Sequence, residues 1–162
     1  RGLGGIRIMQ SYISTKLIKA NPMTRGEYNK FRGWDIPKNE NPNDEGYLIQ
    51  YPDGYISWCP KKQFEESNLK VDDNKNLPSG VSIGSKMVDD FIKEVHVSTL
   101  GDKTTLVRAI LVNGFEIVES TGCVDKVNYS EDIGAEICLN KIKDKIWYLL
   151  GFLLQTAYKG VK

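Results

Sequence analysis

Thr105-Leu-Val-Arg-Ala-Ile-Leu-Val-Asn-Gly-Phe-Glu-Ile-Val-Glu-Ser120 is the stretch that decides the fold. Two apolar, β-branched runs flank Asn113-Gly114, a pair that strongly favours a tight antiparallel turn. Downstream come Gly122-Cys123-Val124, Asn128-Tyr129, and an apolar segment holding Lys145-Ile146-Trp147. Ser130 suits a helix N-cap, and Glu131 and Asp132 follow it at the positive end of the helix dipole. Ile133, Ile137, Ile142, Ile146, Leu149, Leu150 and Leu153 keep near-helical spacing as far as Tyr158. Gly134 and Asn140 weaken that run and leave room for a break into two helices. The expected class is α+β, a small antiparallel sheet packed against C-terminal helices.

Outward from this hairpin, residues 84–162 read as one α+β domain. Ser85 is placed to cap a short helix bearing Met87, Val88, Phe91 and Ile92, and Val95–Leu100 and Thr104–Val112 read as strands around Gly101-Asp102. Residues 69–83 carry Asp72-Asp73-Asn74-Lys75-Asn76 and Pro78-Ser79-Gly80 and read as a linker. Residues 9–68 read as a second small α+β module. Tyr12–Ala20 is its expected first strand and Pro22 a breaker. Thr24 and Glu27 have capping-box spacing for a helix to Phe31, and residues 35–46 are polar, proline-containing loop. Pro52-Asp53-Gly54 turns between two aromatic runs, and Pro60 opens a helix over Lys61–Ser67.

Residues 1–8 are expected to be leader or expression-derived sequence. Leu3-Gly4-Gly5 back-translates to a ribosome-binding-site sequence, and Met9 stands where a start codon would follow. An ordinary chain terminus is the alternative.

Composition narrows the function classes. The chain of 162 residues has 22 basic and 21 acidic side chains, a formal net charge of +1. That balance argues against a general electrostatic grip on duplex DNA. Cys59, Cys123 and Cys138 are far apart and form no C-x-x-C pair, so they read as reduced thiols. A single histidine, His96, excludes a His-rich metal site. No apolar run reaches the roughly 18–20 residues that span a bilayer.

Catalytic signatures are missing. Gly2-Leu-Gly-Gly5 lacks the Gly-Lys-Ser/Thr ending of a phosphate loop, and no Gly-x-Ser-x-Gly elbow occurs. A Cys123–His96 thiol–imidazole pair is outweighed by the reading of a packed cysteine and a strand histidine. Asp89-Asp90, Glu65-Glu66 and Glu131-Asp132 are neighbours that do not face each other on a helix. Lys141, Lys143 and Lys145 spread around a helix, as a solvated face or part of a phosphate patch. Phe115 follows a tight turn, and Asn128-Tyr129 precedes a helix N-terminus, where free N–H groups suit an anion. An aromatic face there could stack on a base. The alternative is that Phe115 and Tyr129 are core residues and Asn128 is turn chemistry.

Residues 85–158 resemble the phage gp-forty-nine-like accessory family. The resemblance rests on Val107-Arg-Ala-Ile-Leu-Val-Asn-Gly-Phe115, Gly122-Cys123, Asn128-Tyr129, Gly134, Lys145-Ile-Trp147 and Gly151-Phe-Leu-Leu154. The family usually has a Glu where this chain has Leu150, which withdraws any role of that acid. Residues 12–68 resemble a second phage module, through Met23-Thr-Arg-Gly-Glu-Tyr28, Arg32-Gly-Trp34, Asp44-Glu-Gly-Tyr-Leu48 and Tyr55-Ile-Ser-Trp58. The first family is similar to type I Thoeris anti-defence proteins. The resemblance implies a non-enzymatic sponge in the host cytoplasm that holds a cyclic ADP-ribose isomer, or a cyclic oligonucleotide, in pockets between subunits of a homo-oligomer. It implies no cofactor, membrane or duplex DNA. Phe115, Asn128, Tyr129 and Lys145 sit on matched positions as ligand-binding candidates; Arg108 is added because a guanidinium suits a pyrophosphate and needs a partner in an apolar strand. A module that binds a host protein and a single-strand nucleic-acid binder are the rivals. Mass spectrometry of protein expressed from the native gene should find Met9 first; an N-terminus upstream of it overturns the leader reading.

Overall fold

The computed structural model describes residues 8–162, so the leader expectation for Arg1 to Arg7 lies outside the described residues. The chain forms two compact units. The first takes in the residues up to Ser67 together with Thr156–Lys162, and the second runs from Asn68 to Gln155. Each holds a three-stranded antiparallel sheet, and the class is α+β.

In the first unit β1 (Lys19–Pro22), β2 (Gly46–Gln50) and β3 (Ile56–Pro60) pair in that order. The strand expected over Tyr12–Ala20 is displaced to β1, because its partner β2 is only five residues long and its last pair is Lys19 with Gln50. Pro22 ends β1 on the sheet edge, where a missing N–H is tolerated. Helix α1 (Arg25–Arg32) begins at the expected capping box: Glu27 N–H donates to Thr24 Oγ1 at 3.2 Å, and Thr24 N–H donates to Glu27 Oε2 at 2.7 Å. It ends at Gly33, whose φ of 71° is the left-handed cap that glycine takes most easily. Helix α2 (Lys61–Ser67) follows β3 directly and stacks Phe64 on Tyr47, with ring centroids 4.1 Å apart. Leu17 N–H donates to the Ala157 carbonyl at 3.0 Å, so this unit also uses the end of the chain.

The second unit opens with residues 69–83, where Asp73 and Val81 form an isolated bridge and Val71 and Ile83 pack against the core. Helix α3 (Ser85–Asp90) is preceded by Gly84 as N-cap with no side-chain cap bond; Ser85, expected as the cap, is its first residue. Then β4 (Ile92–Leu100), β5 (Thr104–Leu111) and β6 (Glu116–Gly122) form the sheet, with β5 central.

The β5–β6 loop sets the register. Gly114 N–H donates to the Leu111 carbonyl at 2.9 Å, Leu111 N–H donates to the Phe115 carbonyl at 2.8 Å, and Gly114 has φ of 84°. This is a three-residue loop with a left-handed glycine. The first unit repeats it at Tyr51–Tyr55, where the matching bonds are both 2.9 Å and Gly54 has φ of 88°. Asp53 and Asn113 each accept the N–H two residues on, at 2.9 and 3.0 Å. A two-residue turn would have set Arg108 opposite Glu119; the observed loop pairs Arg108 with Val118 and Val107 with Glu119. That single step decides which side chains share a face.

One helix, α4 (Glu131–Lys159), covers the sheet, so the break allowed for at Gly134 and Asn140 does not occur. Gly134, Cys138, Ile142, Ile146 and Leu150 recur every four residues on one buried face and meet Val107, Ala109, Leu111 and Ile117 from the sheet and Met87 and Val88 from α3. Asn140 is exposed and costs the helix only its small propensity difference. Gly134 lies on buried Thr105: a Cβ there would stand 2.0 Å from Thr105 Oγ1 and 2.6 Å from its Cβ. Among the described residues, no helix is long and apolar enough to cross a membrane.

In an open helix Gly→Ala would add about 1 kcal/mol of stability. Here Gly134→Ala should instead destabilise by about 1–3 kcal/mol, through overpacking against Thr105. Urea denaturation monitored by circular dichroism measures the difference, and an unchanged or higher midpoint would refute the close-contact account.

Candidate functional site

Residues on β5 alternate between the α4 side and the opposite face. Thr105, Val107, Ala109 and Leu111 are buried, and Leu106, Arg108 and Ile110 are half-buried. Arg108 therefore stands on the face turned away from α4. Its Nε donates to Glu116 Oε2 at 3.0 Å and its Nη2 to Glu116 Oε1, a two-point fork. His96, directly across from Arg108 on β4, has Nε2 3.2 Å from Glu94 Oε2. The partner that an arginine in this strand requires is thus Glu116. The guanidinium holds the Glu116 carboxyl below the usual carboxylate range, through hydrogen bonding first, against an opposing effect of desolvation.

Phe115 follows the turn glycine and is 55% exposed, so it is not a core residue. One residue on is Glu116, the carboxylate that holds Arg108. An exposed aromatic ring offers a stacking surface and a guanidinium offers anion recognition. Adjacent strand residues point to opposite faces, so sequence adjacency to Glu116 does not itself bring the ring to the fork.

Asn128 and Tyr129 occupy the other end of the sheet. A 3-10 turn over Lys126–Asn128 begins where Asp125 accepts the Val127 N–H at 3.0 Å. Asn128 is exposed and Tyr129 is half-buried. The Tyr129 hydroxyl lies 2.7 Å from Thr99 Oγ1 and 2.8 Å from Thr105 Oγ1, and Glu131 also reaches Thr99. This hydroxyl ties the 3-10 turn to two strands. The α4 N-terminus beside it is capped by Ser130, whose Oγ accepts the Ile133 N–H at 3.4 Å. Glu131 and Asp132 in its first turn oppose a bound anion.

Lys145 pairs with Glu119, on the α4 side of β6. Lys143 pairs with Asp89 at 2.9 Å, and Lys141 donates to the Ser120 carbonyl at 3.3 Å. The three lysines serve three separate acceptors. Cys123 Sγ donates to the Asp125 carbonyl at 3.1 Å, so it and His96 have different partners. Burial pushes the Cys138 thiol up, and all three cysteines are free. Among the described residues, no three His, Cys, Asp or Glu side chains gather as a metal site.

The five candidates do not converge within one chain. Arg108 pairs with Glu116 on the face turned away from α4, and Phe115 precedes Glu116 in the chain at the turn. Asn128 and Tyr129 sit near Thr105, about 20 Å along β5 from Leu111 by the ordinary rise per residue. Lys145 is on the α4 side. The reading from sequence did not foresee the Thr99–Thr105–Tyr129 cluster; three hydroxyls spaced along the chain carry no signal until the register is known.

Residues 83–158 match the family described as Phage protein (N4 Gp49/phage Sf6 gene 66) family, which supports a phage gp49-like protein. The matched segment runs from just before α3 almost to the end of α4. No curated protein and no solved structure matches the chain.

A carboxyl with a depressed folded-state pKa contributes stability above its unfolded value, about 4.3, and loses it as pH falls through the folded value. Glu116→Gln should therefore lower the unfolding midpoint at neutral pH. The gap should close as pH drops below that range. A gap that persists in acid would show that the Arg108–Glu116 ionic pair is not its source.

Proposed function

We propose that this protein is a phage anti-defence protein that binds and sequesters a cyclic nucleotide immune signal, a cyclic ADP-ribose isomer or a cyclic oligonucleotide, without cleaving it. The observation that carries the reading is an exposed Phe115 ring and a half-exposed Arg108–Glu116 fork, both inside the segment that matches the phage family. The ring would stack on a base, and Arg108 would turn from Glu116 to a phosphate. Asn128 would read a base edge from the other end of the sheet, and Tyr129 would hold Asn128 in place. Because these two ends are far apart in one chain, the ligand would sit between copies in a homo-oligomer. Lys145 would add positive potential on the α4 side. Nanomolar retention corresponds to about −12 kcal/mol, and an enclosed ligand is the practical way to reach it. The setting would be the cytoplasm of the infected cell.

A second reading draws on the first unit, where Phe31, Trp34 and Ile36 are exposed and Arg32 lies over the Trp34 ring at 4.8 Å. Such a patch suits docking to a host protein.

Calorimetric titration with cyclic ADP-ribose isomers and cyclic di- and trinucleotides, followed by recovery of the ligand after heating, tests the proposal. Tight binding with intact ligand recovered is expected, and Phe115→Ala should weaken it about tenfold or more, the worth of one base stack. Binding by the variant at parental affinity would remove Phe115 from the site. Absence of binding to any of these ligands would favour the docking module.

A further inference from the structure

The β4 edge is built unlike the rest of the sheet. It is nine residues long, pairs with β5 on one side only, and is exposed along nearly its whole length. Val95 and Val97 are 42% and 41% exposed. A long uncovered edge is a template for another strand, and proteins usually blunt such edges with charge, proline or bulges. Here the bulge lies at Lys93, and the charges, Lys93 and Glu94, share that end. From Val95 to Leu100 there is no Lys, Arg, Asp, Glu, Gly or Pro.

The sequence of this edge is also symmetric in polarity. Ile92-Lys-Glu-Val-His-Val-Ser-Thr-Leu100 reads the same in either direction about His96: Ile against Leu, Lys against Thr, Glu against Ser, Val against Val. An antiparallel copy centred on His96 sets every apolar residue opposite an apolar one and every polar residue opposite a polar one. A two-fold interface requires this kind of self-complementarity.

A second observation points the same way. A shallow, open depression of ≈ 350 Å³ lies beside this edge, lined by Ile92, Val95 and Leu139 with Asp89, Lys93 and Lys143 among its other walls. In the register centred on His96, Val97 of the second copy lies opposite Val95, beside that depression.

We infer that two copies of this chain join through their β4 edges, antiparallel about His96, into one continuous six-stranded sheet. Regular pairing covers Glu94 to Ser98 on each copy, and the bulge at Lys93 closes it. The geometry has a consequence that rests on the proposed function. Antiparallel pairing reverses the second sheet, so the end of one copy that bears Phe115 comes beside the end of the other that bears Asn128 and Tyr129. Three strand spacings separate β5 from its counterpart, about 15 Å, a span suited to a nucleotide-sized ligand.

Sedimentation equilibrium of the full chain should show a reversible dimer. His96→Cys places two thiols across the dyad at the spacing of directly opposed strand residues, within reach of a disulfide. Mild oxidation should give a covalent dimer, mapped by mass spectrometry to the two introduced thiols. Val118→Cys, in the same cross-strand row but on the β6 edge, should give none. Val97→Lys should weaken the dimer about tenfold or more by opposing a charge to an apolar residue. A monomer at every concentration, or a dimer that H96C does not link, overturns the inference. Linked H96C without ligand binding in the calorimeter would leave the edge pairing standing and remove the functional reading alone.

Discussion

The contact between Gly134 and Thr105 sets how closely α4 approaches the central strand, and much of the second unit follows from it. Buried Thr105 presents its side chain where the helix has no Cβ, and any larger residue at 134 would meet it. With that approach fixed, Cys138, Ile142, Ile146 and Leu150 descend onto Val107, Ala109 and Leu111 in four-residue steps. The same threonine spends its hydroxyl on Tyr129, which anchors the 3-10 turn and hence the exposed Asn128. One helical glycine therefore links the core to the far end of the candidate site. Its propensity cost of about 1 kcal/mol is small beside the packing of a 29-residue helix on a three-stranded sheet.

The elements that rest on local chemistry were legible in the sequence. Thr24 and Glu27 announced α1, Asn113-Gly114 announced the hairpin, and Lys61–Ser67 follows Pro60 as its spacing implied. Those that depend on a distant partner were not. The length of β1 is limited by β2, which no residue within Tyr12–Ala20 reveals. The continuity of α4 through Gly134 depends on Thr105, which lies in a different strand. The hairpin shows the division within one motif: Asn-Gly locates the turn, but the number of loop residues decides whether Arg108 faces Glu119 or stands behind it.

The site divides in the same way. Arg108 was singled out because a charge in an apolar strand needs a partner, and the register supplies Glu116. Phe115 resolves as exposed and Tyr129 as half-buried with both hydroxyl partners in strands; the sequence held both readings open for each. The candidate residues spread from one end of β5 to the other, so within one chain they form no single site. Residue type and order identify candidates, whereas convergence belongs to tertiary and quaternary structure.

Glu116 then poses the energetic question for anion recognition at Arg108. The fork is half-exposed, so in solvent the pair's contribution to stability is modest. A phosphate offers the same planar guanidinium an equivalent set of acceptor oxygens, at the expense of leaving Glu116 to water. Because Glu116 keeps its solvent access, releasing it avoids the penalty of a buried orphan charge. Exchange of one anionic partner for another is therefore nearly balanced at this position. On the proposed function, discrimination for a particular ligand would come from the stacking surface of Phe115 and from groups of a second copy, while Arg108 would fix orientation. That division explains why an arginine already paired within its own chain is still consistent with a binding role.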